Sequence, residues 1–180
     1  MGEAPERIET ERLVLRRPRA EDAESVFHRY ARDPDVTRLV GFPTHRSVEA
    51  SRAFVEFSDE QWARWPAGPY LVESRQDAWL LGGTGFQFET PQRACTGYVF
   101  ARDAWGQGFA TEALRAVVAV APSLGVIRLY ALCHPENHAS LRVLERCGFV
   151  REGLLRRHSA FPNAGPGGPV DVFCYAVIFG

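Results

Sequence analysis

Two glycines stand where a strand-like stretch gives way to a helical one, in the run Trp105-Gly106-Gln107-Gly108-Phe109-Ala110-Thr111. A helix start carries backbone N–H groups without intrahelical acceptors and a partial positive charge, so it can bind phosphate with no basic side chain. Glycine suits such a turn because a Cβ would obstruct the approach of an anion to the backbone. The same pair also fits a tight turn and nothing more. A dinucleotide loop would need a third glycine where Thr111 stands, and an acidic residue in 127–132, where none occurs. All 21 basic residues are Arg. A phosphate loop built on a lysine and Schiff-base chemistry are both excluded by that composition.

Other residues invite chemistry less strongly. His134 and His138 are four apart, but Pro135 intervenes and the helix is expected to start at Asn137, so they need not share a face and no metal site is expected. Cys95, Cys133, Cys147 and Cys174 form no C-x-x-C pair and read as buried, reduced thiols. Gly82-Gly83-Thr84-Gly85 lies inside an apolar run, which points to a bulge or a close backbone approach and not to a phosphate loop. Asn137 is the expected N-cap of its helix, and Ser140, in the first turn, has an ordinary reading as a local hydrogen-bonding residue.

The elements that must position these groups follow from periodicity. Leu13-Val14-Leu15 is a short strand. Ala23, Val26, Phe27 and Tyr30 mark a helix closed by Asp33-Pro34, and Ala50, Ala53, Phe54 and Phe57 mark a second, with Ser47 as its expected cap. Strands are expected over 69–73, 79–88 and 94–101, with turns at Gln76-Asp77 and Thr90-Pro91-Gln92. A helix over 108–121, a strand over 127–133 and a helix over 137–147 come next, the last stopped by Gly148. Strands over 149–154 and 170–179 flank a Gly/Pro-rich loop over 163–169. Strands first, then a strand–helix–strand–helix unit, predict a mixed α/β sheet.

At 180 residues the chain suits one domain, expected over 8–180 after a polar extension over 1–7. With 46% hydrophobic and 24% charged residues and a formal net charge of −1, nothing calls for nucleic acid or an acidic membrane as partner. The polar, acidic amino terminus is unlike a secretory signal, and the expected location is the cytoplasm.

Three separated segments carry a family resemblance. Gly97-Tyr98-Val99-Phe100-Ala101-Arg102-Asp103-Ala104-Trp105-Gly106-Gln107-Gly108-Phe109-Ala110-Thr111-Glu112-Ala113-Leu114 resembles the acetyl-CoA motif of the GNAT superfamily of N-acetyltransferases. Asn137-His138-Ala139-Ser140-Leu141-Arg142-Val143-Leu144-Glu145-Arg146-Cys147-Gly148-Phe149 is similar to the helix and strand that follow it. Glu9-Thr10-Glu11-Arg12-Leu13-Val14-Leu15-Arg16 resembles the first strand of the RimJ/RimL-type branch, which acetylates N-termini of ribosomal proteins. The resemblance implies an α/β (α+β), mostly antiparallel sheet of about seven strands flanked by about four helices, with a splayed strand pair forming the CoA cleft. It further implies that the backbone of Val99, Phe100 and Ala101 pairs with the pantetheine arm. The N–H groups of Gly106, Gln107, Gly108, Phe109, Ala110 and Thr111 would then hold the pyrophosphate, and Asn137 would touch the pantetheine region. Trp105 departs from the family pattern without disturbing that backbone cradle. Ser140 stands where other branches carry a Tyr that protonates the leaving thiolate, which makes it the candidate general acid.

The implied activity is direct transfer of acetyl from acetyl-CoA to an amine, either a protein N-terminal α-amine or a small-molecule amine, with no metal. Relatives often form dimers. Many place a Glu on the strand before the glycine turn, whereas Ala94-Cys95-Thr96 holds no acid; Glu73, Glu89 or a water chain could replace it. That gap leaves room for an alternative, an acyl-CoA-binding sensor without transfer activity. Trp62, Trp65 and Phe57 are read as core or as an acceptor pocket, and Arg156-Arg157-His158 as solvated surface or a contact for an acidic acceptor.

Overall fold

The computed structural model describes residues 2–165 and 167–180; Met1 of the expected extension and Pro166 of the Gly/Pro loop lie outside them. Eight strands form one sheet: β1 (Arg7–Glu9), β2 (Leu13–Arg16), β3 (Pro69–Ser74), β4 (Leu80–Thr90), β5 (Arg93–Phe100), β6 (Arg128–Cys133), β7 (Val150–Ser159) and β8 (Val170–Ile178). Their spatial order is β1-β2-β3-β4-β5-β6-β8-β7, and among the described residues only the β5–β6 pair is parallel. The helices are α1 (Ala23–Val26), α2 (Pro34–Thr37), α3 (Val48–Arg64), α4 (Phe109–Val120) and α5 (His138–Arg146). The strand beyond the expected seven is β1, three residues long with one half-buried side chain, too short for its alternation to register.

Alternation along the strands sends side chains to two cores. Leu13, Leu15, Tyr70 and Val72 meet Ala113, Leu114 and Val117 of α4 and Leu144 of α5. Leu71 and Leu80 belong to the other, with Val26, Tyr30 and Val36. The helix expected to run to Asp33-Pro34 instead passes from α1 into a π turn over Phe27–Ala31. Asp33 then caps α2, its Oδ1 accepting from the Asp35 N–H at 2.9 Å, with Pro34 in the first helical position that its missing N–H favours. Ser47 does stand at the N-cap of α3, but its side chain makes no cap hydrogen bond. Gly148, at φ +84, ends α5 as expected, and the Phe149 N–H donates to the Leu144 carbonyl at 3.1 Å. Burial of apolar side chains such as Leu114, Val117 and Leu144, at roughly 2 kcal/mol each, holds α4 and α5 against the sheet. The two helix N-termini therefore stand at the end of the sheet where β5 and β6 finish.

Candidate active site

β5 and β6 pair only over Arg93–Arg128, Ala94–Leu129 and Cys95–Tyr130, and beyond Cys95 the two strands part. The phase of the β4–β5 ladder decides which peptide groups face the gap. The Ala101 N–H donates to the Leu81 carbonyl at 2.8 Å. In an antiparallel ladder such bonding alternates, so Val99 and Ala101 turn their peptide groups to β4 while Tyr98 and Phe100 turn theirs toward β6. The Phe100 carbonyl accepts from the Trp105 indole Nε1 at 2.8 Å. Of the three residues expected to line a pantetheine arm, Phe100 alone therefore keeps a free group toward the cleft, its N–H. Val99 and Ala101 are held by the sheet, and Tyr98, which composition alone does not single out, joins Phe100. The Trp105 side chain thus has a function of its own, fixing the end of β5 just ahead of the glycine turn.

Gly106 and Gly108 have φ +73 and +82, the left-handed region where a side chain is strained. Gly108 is the N-cap of α4 and offers no side-chain cap bond. Among the described residues, the N–H groups of Gly106, Gln107, Gly108, Phe109, Ala110 and Thr111 find no protein acceptor, while Glu112 N–H returns to the Gly108 carbonyl at 3.0 Å. Six consecutive free donors, running from the exposed Gly106 to Gly108 into the buried Thr111 at the positive end of a helix of 12 residues, fit a diphosphate.

The second wall of the cleft is the start of α5. Asn137 Oδ1 accepts from the Ser140 N–H at 3.2 Å, the capping bond its type predicts, and its Nδ2 has no protein partner among the described residues. Ser140 Oγ lies 2.7 Å from the Tyr98 hydroxyl, which also reaches the Ser140 carbonyl at 2.9 Å. The phenol has one proton and the carbonyl can only accept, so Tyr98 donates to the carbonyl and Ser140 donates to Tyr98. Burial pushes the Tyr98 phenol above its ordinary value, keeping it protonated at neutral pH.

Neither carboxylate expected to replace the missing strand acid is free. Glu73 is held by Arg16 at 2.6 Å, and Arg16 also grips Asp22 at 2.7 Å. Glu89 pairs with Arg93 at 2.6 Å and with the Tyr130 hydroxyl, at the end of β5 opposite the glycine turn. Cys95 is no substitute, because burial pushes its thiol up to about 11.

The remaining candidates take structural places. A Cβ on Gly85 would fall 2.6 Å from the Gly68 carbonyl oxygen, and one on Gly82 would strike the Val99 carbonyl oxygen, so this run marks close backbone approach. His134 packs edge-on against Phe161, centroids 5.0 Å apart, and no three metal-ligating side chains gather among the described residues. Trp62 meets Tyr70 edge-on at 5.0 Å and Trp65 stacks on Phe88 at 5.6 Å, both packed on the main core, while Phe57 is exposed. Arg156, Arg157 and His158 lie exposed on β7. Asn163, in the Gly/Pro loop, ties that loop to the α2–α3 connection: its Oδ1 accepts from the Thr44 N–H at 2.9 Å and its Nδ2 donates to the Thr37 and Phe42 carbonyls, each at 2.8 Å.

The acetyltransferase (GNAT) domain family matches residues 12–150, which spans both walls of the cleft. The chain belongs to the GNAT acetyltransferase family. Among its relatives is YoaA of Bacillus subtilis, an uncharacterized N-acetyltransferase, 32% identical over 95% of this chain and 96% of that protein. A GNAT-family acetyltransferase of Bacillus anthracis superposes with a TM-score of 0.82 at 28% identity, covering 96% of this chain and 98% of the other. RimL, a ribosomal L7/L12 α-N-protein acetyltransferase solved with coenzyme A, shares the fold at a TM-score of 0.84 and 23% identity, over 96% and 98% of the two chains. No helix among the described residues is long and apolar enough to cross a membrane.

Proposed function

We propose that this GNAT acetyltransferase carries acetyl from acetyl-CoA directly to an α-amino group, at a protein N-terminus or on a small molecule of like basicity. The observation that carries the reading is the run of six unpaired N–H groups from Gly106 to Thr111, set beside a strand pair that parts after Cys95. RimL, an α-N-protein acetyltransferase with the same fold, was solved with coenzyme A, which supports both halves of it.

When bound, acetyl-CoA supplies an activated thioester. The glycine turn would hold its diphosphate, and the N–H groups on the cleft side of Tyr98 and Phe100, with Asn137 Nδ2, would orient the arm. A preorganised N–H of β5 stabilises charge developing on the acyl oxygen. To serve the departing sulfur the Ser140 hydroxyl would turn from Tyr98 to that sulfur, with Tyr98 then donating to Ser140 Oγ in place of the Ser140 carbonyl; the thiolate would take the Ser140 proton, and the proton lost by the attacking amine would restore the pair.

The ion pairing of Glu73 and Glu89 bears on the acceptor. An α-amine, with pKa near ~8, is partly neutral at physiological pH, whereas a lysine amine near ~10.4 needs a stronger base than the ion-paired Glu73 or Glu89 supplies. Release of free thiol from acetyl-CoA, followed across peptides with free N-termini, lysine-only peptides with blocked N-termini and small amines, tests this. Turnover confined to α-amines is expected. Turnover on the blocked lysine peptides alone overturns the acceptor reading. Tight CoA binding without turnover on any amine favours the acyl-CoA sensor, the reading to which the missing acid at 94–96 lends support.

A further inference from the structure

Arg12, distant in sequence from the glycine turn, is folded onto it. Its Nε donates to Glu112 Oε2 at 2.7 Å and its backbone N–H to Glu112 Oε1 at 2.8 Å, while Thr10 Oγ1 donates to the same Oε1 at 2.6 Å. Arg12 Nη1 donates to the Gln107 carbonyl at 3.0 Å. The guanidinium lies over the Phe109 ring, 4.6 Å from its centroid. Nη2 has no protein acceptor among the described residues and stands 3.5 Å from where a Cβ on Gly108 would be. The segment is braced from behind: Arg75 donates through Nη1 to the Thr10 carbonyl at 2.8 Å and through its N–H to the Arg12 carbonyl at 2.9 Å.

The arrangement answers an electrostatic difficulty. Glu112 sits in the first turn of α4, beside the free N–H groups assigned to a diphosphate. Burial pushes its carboxyl up, but the bonds from Thr10 and from the Arg12 backbone and side chain outweigh this and hold it below the usual carboxylate range, so it is ionised at neutral pH. An uncompensated carboxylate there would repel an anionic ligand well within a screening length.

Resting on the reading that this turn takes the diphosphate of acetyl-CoA, we propose that Arg12 is a positioning residue for that site. Its charge cancels Glu112, and its Nη1 pins the Gln107 carbonyl so that the following N–H groups face the ligand. Two separate segments, one near the amino terminus and one past residue 100, thereby build a single anion site.

Calorimetric titration of CoA into the unaltered protein, R12Q, R12K and R12Q/E112Q tests it, with melting of each unliganded chain as the folding control. R12Q is expected to weaken CoA binding about tenfold, roughly 1.4 kcal/mol. R12K, which keeps the charge but loses the planar fork, should fall between R12Q and the unaltered protein. The double variant should bind more tightly than R12Q, because the unpaired carboxylate is gone; a purely structural Arg12 would show no such recovery. If R12Q does not stay folded, R12K carries the comparison, with a smaller loss in the same direction. Unchanged affinity in the Arg12 variants, or a double variant that binds no better than R12Q, overturns the proposal. Failure of the unaltered protein to bind CoA would instead overturn the cofactor reading itself.

Discussion

Asn137 has two separable duties, and one pair of variants parts them. Its Oδ1 caps α5 through the Ser140 N–H at 3.2 Å, while its Nδ2 has no protein partner among the described residues. Asn137→Ala removes both groups. Loss of the cap costs about 1 kcal/mol, which in a chain of this size lowers the melting temperature by about 2–4 °C. Asn137→Ser keeps a cap of equal rank, so its melting temperature should stay within about 1 °C of the unaltered protein. Serine has no amide N–H to offer a ligand, however, and a net hydrogen bond of about 1 kcal/mol corresponds to roughly fivefold in affinity. Melting curves and calorimetric titration with acetyl-CoA read the two quantities independently. The reasoning is refuted if the Ser variant binds acetyl-CoA as tightly as the unaltered protein, for Asn137 would then be a cap and nothing else.

Three further outcomes follow from the same geometry. Tyr98→Phe removes the partner of Ser140 Oγ and should lower turnover about tenfold or more at saturating acetyl-CoA; unchanged turnover in single-turnover kinetics would remove the pair from the proton path. Asn163→Ala leaves the Thr44 N–H and the Thr37 and Phe42 carbonyls without that partner, so we expect a loss of about 1–3 kcal/mol in denaturant unfolding, with CoA affinity unaltered. Glu112, with its folded pKa held below 4.5, adds stability that is present above that value and lost as pH falls through the folded one. Melting followed from pH 6 downward should therefore show a shallower acid decline in E112Q than in the unaltered chain.

The parts of this molecule legible in its sequence are those where local chemistry and tertiary structure agree. Gly108 and Gly148 both take the left-handed backbone their positions imply, and Asn137 caps the helix it precedes. The core faces of α4 and α5 follow from apolar spacing because packing rewards that spacing. Legibility fails where long-range contacts decide. The π turn after Val26 leaves no mark in the apolar spacing of 23–30, and β1 is held by its pairing with β2. Which peptide groups of β5 face the cleft depends on ladder phase, which no composition encodes; a one-residue difference exchanges Val99 and Ala101 for Tyr98 and Phe100. Tyr98 meets Ser140 across 42 positions of chain, and Arg12 meets Glu112 across 100. The Thr-x-Arg-Leu run that marked the family resemblance thus has a physical reason, visible only once Thr10 and Arg12 are seen closing on Glu112.

In the proposed reading, backbone N–H groups at the start of α4 bind the diphosphate of acetyl-CoA. Amide proton–nitrogen spectra recorded while CoA is titrated into the labelled protein address it most directly. The largest shifts are predicted at Gly106 to Thr111, with Phe100 and Ser140 following. Saturable binding that leaves the amides of Gly106 to Thr111 unmoved while shifting others would contradict the account.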